Sequence, residues 1–229
     1  MLAVNTTMNV SRVSSCLGIL FFTMSLLLAE WPVKEVSGSL SSESNEGCIL
    51  KNTNLGTKAI CSHLHLKSVP QDLPSNAVTV DLSFNSIPTL LNGSFAYLLN
   101  ITSLGLEHNV LSKIEHGAFE PLSHLRNLSL KHNRLDSLPS GLFRANLFLS
   151  ILILGKNRLV SFPSSALPWS NSITTLEVSQ NRIAFLDALD FDPLENCSLE
   201  KLYIGRNALH TLPFKVFSTL NTVKNKKDL

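Results

Sequence analysis

This 229-residue chain lacks the usual marks of an enzyme. It has no glycine-rich phosphate loop, no zinc-protease helix motif and no nucleophile elbow, so scattered Ser, His and Asp side chains have no constellation to act in. No enzymatic activity, cofactor or metal is expected. An excess of one charge is missing too: 19 Lys and Arg against 17 Asp and Glu give a formal +2, about +1 once Arg12 leaves with a leader, so bulk charge selects no partner class. Any electrostatic case must be local. Long apolar runs are absent apart from Val13 to Ala29, VSSCLGILFFTMSLLLA, which follows a polar start whose only basic residue is Arg12. That layout is a secretory signal, with cleavage after Ala29 or nearer Gly38. The alternative, an uncleaved anchor, meets the difficulty that the run sits at the short limit for a spanning helix. The mature chain then carries no membrane span.

Cysteine is also scarce. Cys16 belongs to the leader, which leaves Cys48, Cys61 and Cys197. In an oxidising compartment, two cysteines flanking a short segment ahead of a periodic array suit a local disulfide, Cys48 with Cys61, closing a cap. Cys197 reads either as a small buried hydrophobe or as a reactive thiol. Four sequons follow the leader, at Asn92, Asn100, Asn127 and Asn196, and support export with glycosylation. Residues 30–47 are Ser- and Glu-rich without apolar periodicity and read as a flexible lead-in.

An apolar content of 44% excludes a disordered polymer, and its arrangement is a repeat. The segments AVTVDLSFNSI, ITSLGLEHNVL, LRNLSLKHNRL, LSILILGKNRL, ITTLEVSQNRI and LEKLYIGRNAL align, with asparagines at 85, 109, 133, 157, 181 and 207. The step is 24 residues, except for a last step of 26. Alternation along a strand turns the fourth and sixth residues of each segment, such as Leu128 and Leu130, to the inside. Each asparagine amide can serve backbone groups where the chain turns out of the strand. Ten residues on stand Phe95, Phe119, Phe143, Leu167, Phe191 and Phe217, a spine for the outer side, and five residues on stand Leu90, Ile114, Leu138, Phe162, Leu186 and Leu212. The prediction is an α/β solenoid: a leucine-rich-repeat horseshoe with short parallel strands on its concave face and irregular or single-turn segments outside. Its parts are signal peptide 1–29, lead-in 30–47, disulfide cap 48–76, six repeats 77–220 and a polar tail 221–229. The tail brings no cysteine cluster, so the last turn presents an open edge, which reads either as a truncated or alternatively ended product or as a chain that needs a full-length receptor or another repeat protein against that edge.

The eighth and tenth positions of each segment lie at the exit into the turn. They carry Phe84, His108, His132, Lys156, Gln180 and Arg206, then Ser86, Val110, Arg134, Arg158, Arg182 and Ala208, with Lys131 one place earlier. Stacking makes of them a basic strip along one rim. Read functionally, the strip suits an extended polyanion bound in a salt-dependent way, with histidines that charge in acid; read plainly, it is the solvated rim a soluble solenoid needs. His63 and His65 alternate with Leu64 and Leu66 and are expected on the exposed face of a capping strand, too sparse for a metal site. A glycan on Asn127 would obstruct the concave strands and turn a large ligand toward a rim.

The signal, the cap, the pitch and the stretches CSHLHLKSVPQDLPSNAVTVDLSFNSI and ENCSLEKLYIGRN together resemble the N-terminal part of a Toll-like receptor ectodomain, most closely the double-stranded-RNA-sensing branch, over about Cys48 to Leu220. The resemblance implies a luminal or secreted innate-immune recognition element for a microbial ligand, nucleic acid being the candidate. It also implies a ligand site built on a cap histidine and on histidines preceding repeat asparagines. By motif these fall on His63 in Cys-Ser-His and His132 in Lys-His-Asn. Phe84 departs from that pattern, His108 adds a histidine one repeat later, and Pro88 and Thr89 stand where the relative carries basic residues. Receptors of this kind carry more repeats, a membrane helix and a signalling domain, so this chain is expected to bind without signalling by itself. The rival expectation is a matrix or adhesion repeat protein that holds a protein partner on its concave strands.

Overall fold

The computed structural model describes residues 47–212, together with Met8, Asn9 and Leu220. The leader (apart from Met8 and Asn9), most of the lead-in, Phe217 and the polar tail lie outside these. Met8–Asn9 runs antiparallel to Thr211–Leu212.

One eight-stranded sheet forms the spine of the molecule. It opens with a hairpin, Ile49–Thr53 against Gly56–Ile60, in antiparallel register from Ile49 opposite Ile60 to Thr53 opposite Gly56. The turn needs Gly56: its φ is +131°, and a Cβ there would come within 2.7 Å of Asn76 O and Val78 Cγ1. The Cys48–Cys61 disulfide closes the hairpin, its Cα atoms 4.4 Å apart, well within bridging geometry. From there the sheet is parallel. Ala77–Asp81, Ser103–Gly105, Asn127–Ser129, Ile151–Ile153, Thr175–Glu177 and Lys201–Tyr203 stack in sequence order, with Val80, Leu104, Leu128, Leu152, Leu176 and Leu202 in one line of register. A bulge between Thr57 and Lys58 fits the cap to the first of these turns.

The inward residues make one continuous core, from Ala59 and Cys61 at the cap through Leu128 and Leu130 to Leu202 and Ile204. The aromatic spine is present: Phe95, Phe119 and Phe143 are fully buried and stack at 6.0 and 5.7 Å. The fourth repeat exchanges the two apolar registers, with Phe162 at the fifth-residue position and Leu167 at the tenth; Phe162 then meets Phe191 at 4.8 Å, so the ring is kept although its register changes. Among the described residues the outer side holds no α-helix. It is made of turns, a short parallel pair (Thr89–Leu90 with Lys113–Ile114) and 3-10 segments at Ser164–Ala166 and Ala188–Leu194. The longer of these begins at a capping box in which Asp187 accepts from Leu189 N and Asp190 accepts from Asp187 N. The two extra residues of the last repeat enter between Phe191 and Leu199, beside this segment, and leave the strand register intact.

The asparagines line up. Asn133 donates to Leu130 O of its own turn at 3.0 Å and to Leu106 O of the turn before at 2.9 Å, while its Oδ1 accepts from Leu111 N at 3.0 Å. Asn109, Asn157, Asn181 and Asn207 repeat the pattern, and Asn85 joins the first turn to the cap through Cys61 O, Leu64 N and Leu66 N. Buried backbone groups that the bend would otherwise leave unsatisfied are thereby paired, one turn stitched to the next. Among the described residues no helix is long and apolar enough to cross a membrane.

Candidate functional site

The residue before each ladder asparagine, and His63 at the matching place in the cap, adopts the left-handed backbone conformation that glycine would occupy without strain, yet none is glycine. His63, Phe84, His108, His132, Lys156, Gln180 and Arg206 have φ between 54 and 62°. Such a conformation costs a non-glycine residue about 1–2 kcal/mol, and here it recurs at one register position in every turn. Its effect is directional, since it throws each side chain outward onto the rim, one above the next.

Four of them form a single column of rings. His63 stacks on Phe84 with centroids 4.4 Å apart, Phe84 on His108 at 4.3 Å and His108 on His132 at 4.2 Å, at interplanar angles of 9, 8 and 24°. Lys156 follows in the next turn, then Gln180 and Arg206. The ring faces are occupied by one another, so the column offers solvent its edges, where imidazole N–H groups lie. Phe84, a departure from a histidine pattern in sequence, is the ring that joins the cap to the repeats. His63 and His65 are both left-handed and neither lies on a strand; of the two, His63 enters the column.

Burial within the column holds His108 below the ordinary imidazole range, and the charges of His132, Lys156 and Lys131 add to the effect. His132 is lowered likewise, first by burial and then by Lys156 and Lys131. Both are therefore neutral at pH 7 and take up protons only in a more acidic medium than free imidazole requires, unless an anion arrives to offset the cations.

Arg134 and Arg158 are exposed beside the column on the turn side, as is Arg182. Lys131 goes elsewhere. Its side chain crosses the strand-lined face to form an ion pair with Glu177, 3.6 Å away. Glu177 lies flat over Gly155, where a Cβ would stand 2.4 Å from its Oε1. Asp81, Glu107 and Glu177 line the same face, an acidic surface that reading the eighth and tenth positions alone passes over; the strand alternation that puts Leu128 and Leu130 inside would have located it.

The sequons keep clear of the rim. Asn92, Asn100 and Asn196 are exposed on flanks and outer turns, and Asn127 is half-buried on a strand of the concave face. Cys197 is buried, its thiol donating to Ser170 O at 3.0 Å, and burial pushes its pKa up, away from reactivity.

Similarity to known proteins agrees with this architecture. The leucine rich repeat family model matches residues 75–135 and 123–183. The CD180 antigen of Mus musculus is 34% identical over 86 residues, covering 38% of this chain and 12% of that protein. A chain of a TLR13–ssRNA13 complex superposes with a TM-score of 0.62 at 26% identity, over 69% of this chain and 22% of that one. A chain of an octameric complex of Latrophilin 3, Unc5D and FLRT2 (LRR) superposes at 0.60 with 24% identity, over 76% of this chain and 60% of that one, a likeness of fold. This chain thus spans about an eighth of the CD180 antigen and under a quarter of the TLR13 chain. The matched repeats, the strand register and the capping disulfide together make it a leucine-rich-repeat solenoid closed at its N-terminal end by Cys48–Cys61.

Proposed function

We propose that this protein is a pattern-recognition element of the Toll-like receptor kind, delivered into the secretory pathway and acting outside the cell or in an endolysosomal lumen, whose rim binds an extended microbial polyanion. Double-stranded RNA is the first candidate. The observation that carries the reading is the ring column His63, Phe84, His108 and His132 running on into Lys156. Backbone strain at one register in every turn has no evident structural use, since glycine would relieve it; its product is a line of outward edges and cations. Arg134 and Arg158 flank that line and supply phosphate contacts, while Lys131, turned to Glu177, contributes only if that pair opens. No sequon interrupts the rim, and a glycan on Asn127 would steer a bulky ligand toward it. The TLR13 likeness, a receptor solved with RNA, supports the same class of ligand.

The chemistry is linked to protons. A phosphate beside His108 and His132 replaces repulsion from Lys156 with attraction, raises both pKa values and draws protons on binding. Fluorescence anisotropy of labelled double-stranded RNA, at about pH 5.5 and about pH 7.5 with salt varied, tests this. Binding is expected to be stronger in acid, with a log–log salt slope near about −4 if some four or five cations engage. His63→Ala with His132→Ala should weaken it about tenfold. Binding indifferent to acid, salt and those substitutions would overturn the reading.

A further inference from the structure

Buried side-chain hydrogen bonding among the described residues is nearly complete, and the gaps cluster. Among the described residues four buried side-chain polar atoms have no partner: Ser103 Oγ, Glu107 Oε2, Glu177 Oε2 and Asn146 Oδ1. Asn146 belongs to the outer segment, where its amide donates to Phe119 O and Leu122 O. The other three all stand on the strand-lined face. Ser103 and Glu177 are more than nine-tenths buried, at 5% and 3% exposure. Ser103 lies two residues before Gly105, hence on the same side of its strand. Over Gly105 two carboxylates converge: a Cβ at that glycine would be 3.1 Å from Glu107 Oε2 and 3.5 Å from Asp81 Oδ1. Over Gly155 lies the third carboxylate, Glu177, with Ser179 Oγ donating to its Oε1 at 2.8 Å and Lys131 at 3.6 Å.

All three unanswered atoms can accept a hydrogen bond, and the groups around them are mostly anionic. An unanswered buried acceptor costs about 1–3 kcal/mol, more when charged, and invites an explanation. We infer that the concave floor is a second binding site, built for guanidinium groups of a basic protein segment. Arginine matches it: five donors, no acceptor and a planar head that stacks flat against carboxylates lying down on Gly105 and Gly155. Glu107 and Glu177 project from strands three places apart in the sheet, roughly 14 Å at the usual inter-strand spacing. One guanidinium cannot serve both, so the occupant is an extended segment with more than one arginine, laid across the strands when Asn127, on an intervening strand, bears no glycan. The site is independent of the rim and repels the polyanion proposed there.

A fluorescein-labelled peptide of alternating arginine and glycine is the probe, with its citrulline counterpart as the uncharged control. On the intact chain, Glu107→Gln and Glu177→Gln should each weaken binding about tenfold, while His63→Ala with His132→Ala leaves it within about twofold. Amide exchange of the unmodified protein with peptide bound should show protection in 103–107 and 175–179. Equal binding of the citrulline peptide, binding unchanged by both glutamine variants, or protection confined to the rim would overturn the proposal. Should a glutamine variant fail to fold, the exchange map decides alone. A double-stranded-RNA reading that failed while arginine-peptide binding persisted would leave this inference standing, and the reverse result would leave the rim reading standing.

Discussion

The rim and the floor are one residue apart in the repeat and opposite in every physical respect. Glu107 adjoins His108 in sequence and Lys131 adjoins His132, yet the first of each pair faces the strand-lined hollow and the second stands on the rim. On the rim, strained backbone lifts rings and cations into solvent. On the floor, relaxed strand and two glycines let carboxylates lie down until their oxygens leave solvent. A chain that is nearly neutral overall therefore carries two segregated fields, and bulk charge conceals both. What separates them is the asparagine ladder, which holds the turn where one surface gives way to the other.

Breaking that ladder should erase the distinction. Asn133→Ala strands Leu111 N and takes one of two amide donors from Leu106 O and from Leu130 O, which keep Asn109 and Asn157. The expected loss is about 3 kcal/mol or more in urea unfolding, with rim and floor binding both impaired. A loss under about 1 kcal/mol would mean that water replaces the amide and that the ladder is ornamental.

A smaller effect is expected where the two surfaces exchange a charge. In Gly155→Ala the new methyl meets Glu177 Oε1 at 2.4 Å and Cδ at 2.9 Å, so the carboxylate must leave and Lys131 loses its partner. Stability should fall by about 1–2 kcal/mol. Double-stranded RNA should then bind more tightly, because the released ammonium can join the rim. Gly105→Ala, with a milder 3.1 Å approach to Glu107 and no lysine to release, is the matched control and should leave RNA binding unchanged.

Much of this was legible in the residues. The 24-residue step, the inward leucines, the asparagine ladder and the phenylalanine spine follow from periodicity, since each depends only on which way a side chain points from a regular backbone. The capping disulfide was legible from its position before the array. The lean of long side chains was not: alternation puts Lys131 on the floor, but only the bare Gly155 between them lets it reach Glu177. Nor was the role of Phe84, because a histidine pattern treats a phenylalanine as a break, whereas stacking asks only for a flat ring at the right height. The left-handed backbone before each asparagine was hidden for a related reason: the usual marker of that conformation is glycine, and none stands there.

Acid separates the two surfaces by sign. Burial, and then Asp81, raises Glu107 above the ordinary carboxylate range. Its ionised form is thus disfavoured by folding, a penalty present at neutral pH and relieved as pH falls toward the ordinary value. Glu107→Gln should therefore raise Tm at neutral pH, by on the order of 2 °C, with the gain shrinking in acid. The lowered histidines act oppositely. The folded column binds protons less readily than the unfolded chain, so its stability is full above the ordinary imidazole range and falls as pH drops through it. A thermal-melt series against pH on the unmodified chain and on Glu107→Gln resolves the two contributions.

The smallest structural change makes the sharpest distinction within the rim. His108→Phe keeps a ring between Phe84 and His132, at sites now 4.3 and 4.2 Å away, and Phe84 already shows that the column accepts phenylalanine. Stability at about pH 7.5 should stay within about 0.5 kcal/mol. His108→Ala, which removes the stack, should cost about 0.5–1.5 kcal/mol more. The phenylalanine variant loses a titrating edge, so its RNA affinity should drop several-fold at about pH 5.5 and hardly at all at about pH 7.5. If the acid dependence survives in full, the rings serve only to hold one another in place, and recognition on the rim rests on Lys156, Arg134 and Arg158.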